Sequence, residues 1–100
     1  MKSAITFKAR VWVYPGGTGA WHFITVPKKE AERIKKQFGM HARGWGSLPV
    51  KASIEKTEWQ TSIFPDSKSG TYLLPLKAAV RRQEGLFEGD TAQVTLTVRP

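Results

Sequence analysis

The chain has 100 residues, 16 of them Lys or Arg against 8 Asp or Glu, for a formal net charge of +8 and a pI near 10.1. That length supports one domain, residues 1–100, with a modest core. The absence of cysteine excludes disulfides, thiolate metal sites and cysteine nucleophiles, and no run approaches the roughly 18 apolar residues of a membrane span.

The N-terminal stretch alternates Ile5, Phe7, Ala9, Val11 and Val13 with Thr6, Lys8, Arg10, Trp12 and Tyr14. Period two predicts a strand with one buried face, not a signal peptide. Pro15 to Gly19 is a loop by composition, and Ala20 to Val26 forms the second strand of an antiparallel pair. Pro27 then opens a helix over 27–38, with Ala31, Ile34 and Phe38 on one stripe and Gly39 at its end. A flexible segment follows from Met40 to Ser47. Between Leu48 and Phe64, Val50, Ala52 and Ile54 share a face, and Asp66 to Gly70 is a turn. The apolar strand Tyr72-Leu73-Leu74 runs into Pro75, which is expected to open a second helix over 75–84 because its missing N–H goes unpaired in a first turn. Gly85 suits the left-handed residue that ends many helices. Gly89-Asp90 is a turn, and an alternating strand closes the chain at Val98.

Setting Pro27 over Pro75 aligns Lys29 with Lys77, Ala31 with Ala79, Arg33 with Arg81 and Phe38 with Leu86. Both halves read apolar strand, Pro, short basic helix, Gly, loop, strand, which predicts a pseudo-symmetric arrangement. The expected fold is mainly β: a closed or split barrel of about six or seven strands with two short helices. Its core is expected to hold Ile5, Phe7, Val11, Val13, Ile24, Val26, Ile34, Phe38, Val50, Ile54, Leu74, Val80, Val94, Leu96 and Val98.

The closing segment from Leu74 to Val98 resembles the strand, Pro, helix, Gly-Asp, strand half of the AbrB/MazE swapped-hairpin DNA-binding proteins. Over its full length the chain is more similar to a prokaryotic domain-of-unknown-function family assigned a double-split β-barrel. Trp21 and Phe23 before Val26-Pro27, Val50 to Ile54, Phe64 to Gly70, Leu74 to Lys77, Arg81 or Arg82, and Gly89-Asp90 carry that resemblance. Members stand alone or precede a segment associated with bacteriocin protection, which these residues do not include. The resemblance implies a fold and supplies no activity. The Arg43-Gly44-Trp45-Gly46 loop departs from its pattern.

Three stretches are candidates for binding a polyanion. Lys8, Arg10, Trp12 and Tyr14 interleave cations with aromatic rings on the outward face of the first strand, as single-stranded nucleic acid requires. Lys28, Lys29 and Lys77 lie beside the two helix starts, with Arg81 and Arg82 further along the second helix. His41 to Gly46 places Arg43 and Trp45 in a loop of the kind that carries binding. Each has a plainer explanation: packing for Trp12 and Trp45, capping and solvation for the lysines, solubility for the charge as a whole.

No catalytic constellation emerges. His22 and His41 have no second ligand at metal spacing, no nucleophile motif surrounds a serine, and Gly16-Gly17-Thr18-Gly19 lacks the Lys-Ser/Thr of a phosphate loop. No catalytic, cofactor or metal residues are therefore assigned. The residues favour a cytoplasmic, non-enzymatic binding module of unknown ligand, acting as a monomer or small homo-oligomer. The alternatives are an AbrB-like nucleic-acid-binding protein and an enzyme using a barrel pocket near Trp21, His22 and Arg82.

Overall fold

The computed structural model describes residues 4–15 and 21–99. Most of the glycine-rich connection read after Pro15 lies outside them, as do residues 1–3 and 100. The described elements are β1 (Ala4–Val13), β2 (His22–Thr25), α1 (Lys28–Phe38), β3 (Leu48–Ile54), β4 (Thr57–Asp66), β5 (Thr71–Leu76), α2 (Ala78–Glu84) and β6 (Thr91–Val98). Two short 3-10 turns, Gly39–His41 and Gly44–Gly46, bridge α1 and β3.

Six antiparallel strands close into a barrel in the order β1-β2-β5-β4-β3-β6. Two long strands are each shared between two sheets. Ala4 to Arg10 of β1 pair with β6, and Val11 to Val13 pair with β2. In β4, Thr57 to Ile63 pair with β3, and Phe64 to Asp66 pair with β5. Exchanging β1 with β4, β2 with β5 and β3 with β6 leaves every neighbour unchanged. The repeat read from the sequence is thus the pseudo-twofold symmetry of the barrel, and closure gives each described strand a neighbour on both sides.

The core follows from the alternation. Ile24, Leu48, Val50, Ile63, Leu74, Val94 and Leu96 are fully buried, and each such side chain contributes about 1.5–3 kcal/mol through lost apolar contact with water. Ala31 and Ile34 of α1 and Val80 of α2 join the same cluster. Val13, expected inside, is only half-buried where β1 ends opposite His22. Phe38 packs against the core from its margin.

The second helix begins later than the sequence indicates. Pro75 lies within β5 opposite Phe23, and Lys77 is the N-cap of α2. Alternation explains how a strand tolerates it. The Tyr72 carbonyl accepts the Val26 N–H at 2.9 Å, so Tyr72, Leu74 and Leu76 turn their backbone groups toward β2. Pro75 therefore faces the β4 side, where pairing has already ended at Leu73, and its missing N–H costs no ladder bond. Pro27 precedes its helix as the N-cap, with extended backbone at φ −58° and ψ 149°. Leu48 to Phe64, read as one stretch, is a hairpin turning at Glu55-Lys56, where Glu55 takes a positive φ of 53°. Gly85, with φ 62°, ends α2 in the left-handed conformation.

Candidate functional site

The barrel wall consists of two sheets with different exteriors. Side chains alternate in and out along each strand, so the outward residues of the sheet β1–β6–β3–β4 include Thr6, Lys8, Lys51, Ser53, Gln93 and Thr95. Across the other sheet, β1–β2–β5–β4, the outward rows are apolar. Trp12 pairs with Phe23, which pairs with Pro75. Beside them Leu73 lies between Thr25 and Phe64. A third row joins Tyr14 to Trp21, whose carbonyl accepts the Tyr14 N–H at 2.8 Å.

Within this face the rings divide by exposure. Tyr14, Trp21 and Phe64 are 52%, 62% and 44% exposed, so their faces are open to a ligand. Trp12 is half-buried against Phe23, with ring centroids 5.2 Å apart and planes tilted by 35°. Its Nε1–H donates to Thr25 Oγ1 at 2.8 Å. Trp12 and Phe23 therefore support the patch, and the other three rings present it.

Next to Trp21 the face runs into a basic groove under α2. One cleft of about 280 Å³ is lined by Trp21, His22, Pro75, Lys77 and Arg81. A second, of about 450 Å³, is lined by His22, Arg81, Arg82, Leu86, Phe87 and Glu88. His22 and Arg81 belong to both. Arg81 Nη1 lies 3.5 Å from His22 Nε2; because a guanidinium can only donate, any bond there requires Nε2 as acceptor. The Nε–H of Arg81 is buried with no hydrogen-bond partner among the described residues. Arg81 and Arg82 also lie in the last turn of α2, where cations complement the negative helix end.

The remaining candidate residues lie elsewhere. Lys8 and Arg10 point outward on the half of β1 paired with β6, opposite Gln93 and Thr91. Lys28 and Lys29 are exposed in the first turn of α1. Lys28 lines a cleft of about 520 Å³ that also receives Glu32, Lys35, Asp66 and Tyr72. There two carboxylates balance two lysines, which suits a polyanion less well than the groove under α2. The Ser69 hydroxyl, donating to Asp66 Oδ2 at 2.7 Å, holds that carboxyl below its ordinary range. Burial pushes the Tyr72 hydroxyl up.

Arg43 is the N-cap of the second 3-10 turn and Trp45 lies within it. Trp45 is 96% exposed and takes a positive φ of 64°. Gly46, with φ 79°, packs so closely on Pro65 that an added Cβ would meet its Cγ at 3.0 Å. That contact brings the loop to the β4 side of the barrel. In the sequence Phe23, Phe64, Leu73 and Pro75 read as strand, helix-start and family-pattern residues, and not as a shared aromatic face. Outward alternation around Phe23 was the one available signal, since only barrel closure aligns the four.

Among the described residues, no three His, Asp or Glu side chains gather as a metal site would require. No helix there is long and apolar enough to cross a membrane. The family model of a domain of unknown function, DUF1905, matches residues 7–96. No curated protein sequence matches the chain.

Proposed function

The chain belongs to the DUF1905 family, whose function is unknown, and from that premise we propose that it is a non-enzymatic binding module for single-stranded nucleic acid. Bases stack on Tyr14, Trp21 and Phe64, and phosphates meet Lys77, Arg81 and Arg82. The observation that carries this reading is continuity: Trp21 belongs both to the exposed aromatic face and to the cationic cleft beside it. Rings accept any base through its π-face, while cations track the backbone. Paired bases in a duplex offer no free faces to these rings, so the strand must be single. Lys8 and Arg10, further along β1, extend the charged path.

Anisotropy of a labelled single-stranded oligonucleotide, at low and at physiological salt, tests the proposal. Affinity should fall with salt with a log–log slope of about −2, from three phosphates, one in the groove under α2 and one each at Lys8 and Arg10, at about 0.7 each. Trp21→Ala and Phe64→Ala should each weaken binding by about 5- to 150-fold, the equivalent of about 1–3 kcal/mol of stacking. Lys51→Ala and Gln93→Ala, on the opposite wall, should leave it unchanged. No binding at low salt, or binding indifferent to Trp21 and Phe64, would overturn the reading.

A further inference from the structure

We propose that the groove between α2 and the end of β2 is a phosphate site, in which Arg81 and Arg82, with Lys77, hold the oxygens of one phosphate group and His22 orients Arg81. Arg81 is central, because it lines both adjoining clefts. The contact with His22 Nε2 engages one arm of its guanidinium. The Nε–H is buried and finds no acceptor among the described residues. A buried charged donor without an acceptor is unfavourable, and turning the partly exposed guanidinium into the cleft gives it a phosphate oxygen as acceptor. Guanidinium and phosphate match as two parallel hydrogen bonds, a geometry that an ammonium cannot copy.

The charge balance agrees. Among the described residues, three permanent cations face the two clefts and Glu88 is the single carboxylate lining them. With about 450 Å³ and 280 Å³, the clefts exceed a bare phosphate and leave room for an attached sugar. Trp21 in the wall is placed to stack on the base that follows. Two sources share this chemistry: a phosphodiester within a strand and a free phosphomonoester. The inference deepens the strand-binding reading and rests on it for the first source only.

The experiment is a titration of the ¹⁵N-labelled full chain with inorganic phosphate at constant ionic strength, reading backbone, arginine Nε–H and indole resonances. Saturable shifts should concentrate on Arg81 Nε–H and the Trp21 indole, and leave α1 unmoved. Arg81→Gln should weaken phosphate binding about tenfold or more, as loss of a charge-assisted hydrogen bond requires. If that variant loses spectral dispersion, the double variant Lys77→Gln/Arg82→Gln carries the same test. Shifts spread evenly over the lysines, or affinity unchanged in these variants, would overturn the site. A short oligothymidine lacking terminal phosphates is then added. Displacement of phosphate identifies a phosphodiester, whereas strand binding that leaves the phosphate in place identifies a phosphomonoester. A phosphate response without strand binding supports the groove and overturns the strand reading. Strand binding without a phosphate response does the reverse.

Discussion

The two walls of this barrel are alike inside and opposed outside. Both contribute alternate apolar side chains to one core, Val94 and Leu96 from one wall and Ile24 and Leu74 from the other. Outside, the β1–β6–β3–β4 wall carries hydroxyls, amides and lysines, including a Thr6–Thr95 hydroxyl pair at 3.0 Å and Arg99 donating to Gln60 at 2.6 Å. The β1–β2–β5–β4 wall instead carries aromatic rings, Leu73 and Pro75. An antiparallel sheet with one solvated face ordinarily makes that face polar. The first wall obeys the rule. The second departs from it where folding has no need of exposed rings, and a contiguous apolar patch of that kind marks an interaction site. Inward patterning specifies the barrel; outward patterning is free to specify a ligand.

The largest expected effect tests whether the walls are equivalent inside. Leu96→Ala and Leu74→Ala, one in each wall and both fully buried, should each destabilise the chain by about 2–5 kcal/mol, from lost transfer energy and the cavity left behind. Denaturant unfolding should give similar losses for the two. A clear loss for Leu96→Ala beside a negligible one for Leu74→Ala would mean that the aromatic wall is not part of the common core, and would break the comparison.

A smaller effect separates two tryptophans. Trp12, outward on the aromatic wall, has its Nε1–H satisfied by Thr25. Trp59, inward on β4 in the polar wall, is 9% exposed, and its Nε1–H has no partner among the described residues. Trp12→Phe should cost about 1 kcal/mol through the lost hydrogen bond. Trp59→Phe removes an unsatisfied buried donor as well as ring volume, so the two terms oppose and stability should change less. A larger loss at Trp59 in thermal unfolding would show that its N–H is satisfied after all.

How far these features could be read without coordinates depends on how local their causes are. The alternation of Ile5 to Val11 and of Ala92 to Val98 and the helical stripe of Ala31 and Ile34 each lie within a few turns of chain, and each emerged correctly. The β3–β4 hairpin did not, because its turn is Glu55-Lys56, which lacks the Gly or Asn that usually announces a positive φ. Pro75 misled for a related reason: whether a proline breaks a strand depends on which neighbour its missing N–H faces, and that is a property of the sheet. The aromatic face and the basic groove are more remote still. Phe23, Phe64 and Pro75 come from three separate strands, and Arg81 meets His22 across 59 positions of sequence. Only closure of the barrel brings them together.

The smallest expected effect concerns the turn that joins β4 to β5 and so sets the register of Phe64 against Leu73. Asp66 Oδ2 accepts the Ser69 hydroxyl at 2.7 Å and the Ser69 N–H at 3.2 Å, and Gly70, at φ 74°, completes the turn. The Ser69 hydroxyl is the main cause of the lowered Asp66 pKa; burial opposes it as the next largest effect, and the backbone N–H groups of Ser69 and Lys68, with the Lys68 charge, add to the lowering. A carboxyl whose folded-state pKa lies below its unfolded value of 3.8 stabilises the fold at pH above that value. The contribution is lost as pH falls through the folded value. Acid unfolding should therefore show an Asp66-dependent decline beginning near pH 4, and Ser69→Ala should flatten it by well under about 1 kcal/mol, since solvent screens a carboxylate at the surface. The decline should be absent from Asp66→Asn. If Ser69→Ala left the acid limb unchanged but weakened oligonucleotide binding, the turn would matter for the register of the aromatic rows and not for the charge it holds.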